Sequence, residues 1–170
     1  SAMLASSEFN GKPIKSLRTG IMAGSQCPEV LMRRVLYDLG CSEITIAYGM
    51  TETSPISFQS DVNDPVDVRV STVGRIQPHC EVKIVEHDGS TCAVGQTGEL
   101  WTKGYLVMKG YWNDTEATQS SIENGWMKTG DLATIDNEGF CRIVGRKKDM
   151  VIRGGENIYP AELEEFLSPF

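Results

Sequence analysis

Near residue 70 the chain changes its repeat, and no single regular architecture accommodates both halves. Upstream, residues 17–23 make a short β-rich run that ends at Gly24-Ser25, and residues 44–48 make a second. Between them Pro28 suits a first helical position, Glu29 complements the positive helix end, Leu31, Val35 and Leu39 recur at helical spacing, and Gly40 is a natural stop. Strand, helix, strand predicts a parallel pair with a right-handed crossover. Downstream, short alternating runs at 73–76, 81–86, 99–103, 131–136 and 140–144 are divided by turn residues at Asp88-Gly89 and Asn137-Glu138-Gly139. They predict an antiparallel sheet or small barrel, interrupted by one helix over 114–122 that Asp114 can cap. Residues up to about 16 read as a loop or frayed start, and the polar, proline-bearing stretch 61–70 reads as a linker. The fold class is therefore α+β, with an α/β unit over 1–68 and a β-barrel-like unit over 69–144.

A third piece begins at 145. Residues 145–160 hold Arg146, Lys147, Lys148 and Arg153 beside the Gly154-Gly155 pair and Pro160, so the backbone must bend where positive charge is concentrated. Such a joint suits a phosphate-bearing ligand, and it equally suits a solvated basic surface. Residues 150–152 read as a short strand, and Pro160 opens a helix in which Leu163, Phe166 and Leu167 share a face. With little sequence after it to cover that face, the chain reads as a fragment of something longer.

Composition excludes several classes. The net charge is -7 and no basic stripe is interleaved with aromatics, which argues against nucleic acid as a partner. No apolar run approaches the roughly 20 residues needed to span a bilayer. The five cysteines, Cys27, Cys41, Cys80, Cys92 and Cys141, are widely spaced with no Cys-x-x-Cys pair, and the two histidines are His79 and His87. That pattern fits small buried thiols in a reducing, cytoplasmic setting rather than a zinc site.

Candidate chemistry lies at strand ends. In open α/β sheets ligands gather off the carboxyl ends of the strands, so Gly24, Ser25 and Gln26 and the second loop, Tyr48-Gly49-Met50-Thr51-Glu52-Thr53, are expected to face one crevice. Thr51 offers a hydroxyl for a phosphate, and a carboxylate such as Glu52 beside phosphates commonly holds Mg²⁺. The same pair also suits a capping threonine with a first-turn glutamate. Asp131, in Thr129-Gly130-Asp131, can accept hydrogen bonds from ribose hydroxyls or serve only its turn. Arg146, across the hairpin turn, can be brought to the same sheet edge.

These motifs, together with Gly98-Glu99-Leu100, Gly110-Tyr111-Trp112, Gly145-Arg146-Lys147-Lys148-Asp149 and Gly154-Gly155-Glu156-Asn157-Ile158-Tyr159-Pro160, stand in the order found in the adenylate-forming superfamily, and the chain most resembles its fatty-acyl-CoA synthetase branch. The resemblance runs from about residue 17 to 167. It implies an ATP-dependent ligase that converts a carboxylic acid to an acyl-adenylate and transfers the acyl group to coenzyme A. It identifies residues 1–68 as the end of an α/β nucleotide-binding subdomain, and 145–170 as a hinge with the start of a small α+β C-terminal domain.

By the same resemblance, Gly24, Ser25 and Gln26 flank adenine, Tyr48 stacks on it, and Gly49 and Met50 belong to the nucleotide loop. Thr51 contacts the α-phosphate, Glu52 coordinates Mg²⁺, Asp131 binds the ribose, and Arg146 reaches ribose and phosphate. Lys148 is the hinge, and Gly154, Gly155 and Glu156 line the pantetheine tunnel. The family's phosphate-holding loop and its C-terminal lysine are not within this sequence, so the chain alone is expected to be inactive. Another acid-activating enzyme such as an acyl-AMP ligase, and a non-catalytic nucleotide-binding or dimerisation module, are the rival readings; a homo-oligomer is compatible with each. His79 and His87 are expected in loops. Trp101, Tyr111, Trp112 and Trp126 are expected as core or sheet aromatics, and Cys27 as a helix-start residue.

Overall fold

The computed structural model describes residues 2–7, 9, 11–25, 27–153, 156–160 and 167. The expected turn at Gly154-Gly155, Gln26, and most of the helix expected after Pro160 lie outside them. The start of the chain is not wholly irregular, because a single helical turn α1 (Ala2–Ala5) forms there and Leu4 is buried.

The first sheet runs β1 (Thr19–Met22), β2 (Glu43–Gly49), β3 (Ile56–Gln59) and β4 (Arg75–Ile76), in that order across the sheet. β1 and β2 are parallel, joined through helix α2 (Glu29–Tyr37). Within α2 the buried positions are one residue on from the expected Leu31 and Val35: Met32 and Leu36 are buried and Leu31 and Val35 half-buried, while Leu39, just past the helix, is buried as expected. Pro28 stands at the cap position, one place earlier than expected. Gly40 takes φ +77°, and a Cβ there would meet Pro13 at 2.9 Å, so the turn requires glycine for two reasons.

Residues 61–70 are not a simple linker. Pro65 stands at the cap position of a third helix, α3 (Val66–Ser71), and Val70 joins Met32, Leu36, Cys41, Ile44 and Ile46 in the first core cluster. Its Arg69 is buried and donates from Nη1 to the carbonyls of Ser42 and Ile44, 3.0 Å each, while Arg33 of α2 donates to Asp67 at 2.6 Å. Six residues with charged members at 67 and 69 give too short an apolar period to register as a helix. Strand β3 escapes for a similar reason: only Ile56 and Phe58 of its four residues are apolar.

The second sheet contains β5 (Cys80–Val85), β6 (Gly98–Gly104), β7 (Ile122–Glu123), β8 (Trp126–Ile135) and β9 (Cys141–Arg146). It is antiparallel throughout, ordered β5-β6-β8-β7 with β9 also on β8, and forms a curled, partly open barrel. Helix α4 (Thr115–Ser121) precedes β7, and the Asp114 carboxylate accepts from the Ala117 amide at 2.9 Å as expected of a cap. Phe58 of the first sheet enters the second core cluster beside Ile84, Leu100, Ala133 and Cys141, which locks the two sheets together. Two backbone bonds close the seam: the Val73 amide donates to the Cys141 carbonyl, and the Cys141 amide to Gly74. A hairpin of β10 (Val151–Arg153) and β11 (Glu156–Ile158) follows β9.

Among the described residues no helix is long and apolar enough to cross a membrane.

Candidate functional site

One cleft of about 650 Å³ lies where the two sheets meet the basic joint. Its walls are Gly49, Met50, Thr51 and Glu52 on one side and Thr129, Gly130 and Asp131 on the other, with Arg146, Lys147 and Lys148 at the margin. Six of the expected site residues beyond Gly49 therefore converge on one concavity: Met50, Thr51, Glu52, Asp131, Arg146 and Lys148.

The first wall is set by backbone. The ladder between β2 and β3 slips between Tyr48 and Gly49, and a 3₁₀ turn (Thr51–Thr53) follows. A Cβ on Gly49 would lie 1.7 Å from the Pro55 carbonyl oxygen, so glycine is demanded by the fold itself. Thr53, not Thr51, does the capping: its buried Oγ1 accepts from the Met50 amide at 3.1 Å. Thr51 is left exposed on the cleft. Ser54 takes the left-handed conformation at φ 57°, which ends the turn.

The second wall is set by side chains. Register pairs Asp131 of β8 with Arg146 of β9. Arg146 Nε stands 3.4 Å from Asp131 Oδ1, the carboxylate being 14% exposed and the guanidinium 62%. Tyr48 reaches across from β2 and its hydroxyl donates to Asp131 Oδ2 at 2.5 Å. Burial, and then the Asp131 charge, raise the Tyr48 phenol well above its usual range, so it remains a donor. The Tyr48 ring packs edge-on to Phe58, with centroids 6.1 Å apart. Gly130, at φ +72°, turns the strand, and the Thr129 hydroxyl donates to the Leu100 carbonyl.

The joint is pinned beside this wall. The Lys147 amide donates to the Gly130 carbonyl and its Nζ to Glu99 Oε2, 2.8 Å away. Lys148 is exposed. Gly24 and Ser25 follow β1 on the same side of the parallel pair as the loop after β2 but do not line the cleft. Glu156 lies in β11, while Gln26, Gly154 and Gly155 are outside the described residues.

Two aromatics depart from expectation. Trp101 is 8% exposed beneath Lys83 and Lys128, and Trp126 is half-buried, as core or sheet residues should be. Trp112 is 92% exposed and Tyr111 37%, because the tight bridge between Tyr111 and Asp114 turns this segment outward. Tyr111 instead donates from its hydroxyl to Glu52 Oε1 at 2.7 Å. Local sequence does not signal this contact, and for Lys147 only the register that follows from the 137–139 turn does. His79 and His87 are exposed. All five cysteines are free, and burial pushes the Cys141 thiol up to about 12, which suits a packing role.

Residues 1–112 match the family model described as AMP-binding enzyme. YngI of Bacillus subtilis, named provisionally as an acyl-CoA synthetase, is 55% identical over 94% of the chain and 30% of its own length. The bovine mitochondrial medium-chain acyl-CoA ligase ACSF2 is 45% identical over 94% of the chain and 26% of its own. Among solved structures, the o-succinylbenzoate CoA synthetase MenE of Bacillus subtilis, in complex with its acyl-adenylate intermediate, superposes with a TM-score of 0.84 at 37% identity, covering 96% of the chain and 33% of the enzyme. The same enzyme is known with ATP and magnesium ion. The chain thus spans between a quarter and a third of the length of the proteins it matches. The matched family model and the shared fold lead to one conclusion: the chain belongs to the AMP-binding enzyme family of adenylate-forming proteins.

Proposed function

We propose that this chain is the nucleotide-holding and hinge portion of an ATP-dependent acyl-CoA ligase. The parent enzyme joins a carboxylic acid to AMP with release of pyrophosphate, then exchanges AMP for the thiol sulfur of coenzyme A. The observation that carries the reading is the convergence of Glu52, Thr51, Asp131 and Arg146 on one cleft from two different sheets. Relatives named for medium-chain and other acyl-CoA synthesis support a fatty acid as the substrate class.

The donor set fits the nucleotide. Asp131 is a poorly exposed carboxylate whose two oxygens each have one partner among the described residues, leaving lone pairs for a pair of ribose hydroxyls. Arg146 contributes guanidinium donors beside it for phosphate oxygens. Thr51 supplies a hydroxyl at the opposite wall. Among the described residues there is no group of three potential metal ligands, and Glu52 offers a single carboxylate, the protein share usual for Mg²⁺ held largely by phosphates. Bound there, Mg²⁺ would offset charge on the phosphates.

Lys148 is the proposed hinge, and Gly154, Gly155 and Glu156 are proposed to line the pantetheine tunnel; Gly24, Ser25 and Gln26 would flank the adenine that stacks on Tyr48. The proposed division is 1–68, 69–144 and 145–170, with α3 and β4 extending the first unit's core and sheet past its first boundary. Five unpaired thiols support a reducing, cytoplasmic setting. The chain by itself is proposed to lack ligase activity.

Thermal unfolding with AMP or ATP and Mg²⁺ tests the ribose assignment. Wild type is expected to gain stability with ligand and Asp131→Ala to gain none. Equal gains in both would reject it, and acid-dependent AMP release by the full-length parent, with and without coenzyme A, tests the reaction itself.

A further inference from the structure

The bond between Tyr111 and Glu52 joins residues 59 positions apart, and the partly exposed tyrosine ring is not driven there by burial alone. Its loop is nonetheless built to hold it. The Met108 amide donates to the Glu52 carbonyl at 2.9 Å, so the same segment grips both the backbone and the side chain of Glu52. The Tyr111 amide donates to Thr118 Oγ1 at 2.9 Å, and that hydroxyl donates onward to the Asp114 carbonyl at 2.7 Å, anchoring the loop on α4. Gly110 permits the close approach: at φ +152° a Cβ would lie 2.8 Å from the Thr118 methyl. Among the described residues no side chain or backbone group pairs with Glu52 Oε2.

We propose that Tyr111 is a positioning residue for the Glu52 carboxylate: it occupies Oε1 and fixes the rotamer so that Oε2 is offered to a divalent cation arriving with the nucleotide. A ligand carboxylate held by an outer hydrogen bond loses less rotational freedom when it binds a cation, so the partner contributes to affinity without touching the ion. This rests on the reading of Glu52 as the cation's carboxylate, and the test separates the two.

The probe is Mn²⁺, whose free concentration is followed by electron paramagnetic resonance in the full-length enzyme with ATP. Tyr111→Phe is expected to raise the Mn²⁺ dissociation constant about tenfold. Acid-dependent AMP release by that variant should recover as Mg²⁺ is raised to saturation, with the KM for the acid unchanged. Thr118→Val, which releases the loop without removing the phenol, should shift Mn²⁺ binding in the same direction by less. In a Glu52→Gln background, Tyr111→Phe should add nothing further. Unchanged Mn²⁺ binding in Tyr111→Phe, with binding weakened by Glu52→Gln, overturns the positioning role alone. Unchanged binding in Glu52→Gln overturns the assignment of Glu52 and the proposal with it.

Discussion

The two walls of the cleft are held by different physics. The Thr51–Thr53 wall follows from backbone geometry, with a slipped ladder, a glycine crowded by a carbonyl and a threonine hydroxyl closing its own turn. The Asp131 wall follows from side-chain contacts, a hydrogen bond from Tyr48 of the first sheet to one carboxylate oxygen and an ion pair with Arg146 of the neighbouring strand at the second. A wall made of backbone tolerates no added atom, whereas a wall made of side chains yields by degrees. Nucleotide binding as proposed would use both: the first fixes where Thr51 and Glu52 stand, and the second sets the surroundings and orientation of Asp131, the proposed ribose acceptor.

The largest effect expected is on the first wall. Gly49→Ala drives a methyl group to 1.7 Å from the Pro55 carbonyl oxygen and 2.8 Å from its carbon, neither of which is a movable side-chain end. A cost of about 3 kcal/mol or more is expected, read as a lowered urea midpoint with unchanged slope. A cost well under about 1 kcal/mol would mean that the slip between β2 and β3 is free to relax, and the contrast between the walls would disappear.

The second wall should respond more gently and with a pH signature. Tyr48→Phe removes one hydrogen bond to a carboxylate without changing ring packing, so about 2 kcal/mol is expected at neutral pH. The sign follows from the raised phenol: Tyr48 binds its proton more tightly in the folded protein than in the unfolded chain. Its contribution is therefore complete below about pH 10, the ordinary tyrosine value, and declines as the pH rises above it. The stability gap between wild type and Tyr48→Phe should be flat from neutral pH to about pH 9 and narrow beyond about pH 10. A gap that widens with pH would show the phenol ionising more readily in the folded state, and would remove Tyr48 as the donor to Asp131.

The same contrast explains what could be read from the residues in order. The pairing of Asp131 with Arg146 was legible because a short turn at 137–139 fixes the register of the strands on either side. The convergence of Thr51, Glu52 and Asp131 was legible through ordered motifs. The two tyrosine contacts were not, because Tyr48 and Asp131 are 83 positions apart and Tyr111 and Glu52 are 59 apart, in different sheets or on a loop, with no local periodicity relating them. Trp112 was misplaced because hydrophobicity alone favours burial, while the turn closed by Tyr111 and Asp114 decides its direction. Helix α3 was hidden by its length, its burial resting on Val70 and on Arg69, which the carbonyls of Ser42 and Ile44 satisfy.

The smallest effect concerns the pin that ties the joint to the second wall, and it asks whether that pin belongs with backbone or with side chains. Lys147 makes both kinds of contact: its amide donates to the Gly130 carbonyl, and its ammonium pairs with Glu99 at 2.8 Å. The ammonium side chain is 49% exposed and the carboxylate 11%, so solvent screens one partner and the pair contributes less than about 1 kcal/mol. Lys147→Gln should therefore leave global stability nearly unchanged. It should quicken hydrogen exchange at the amides of Lys147 and Asp149, which bond to the Gly130 and Arg146 carbonyls, by at most about fivefold. The wild-type protein should approach the variant's rates near 1 M salt, where exposed charge is screened within about 3 Å. Exchange that is the same in both proteins at low salt would assign the pin wholly to the β8–β9 backbone register. Hinge motion would then start only beyond the Asp149 amide, which would argue against Lys148 as the proposed hinge.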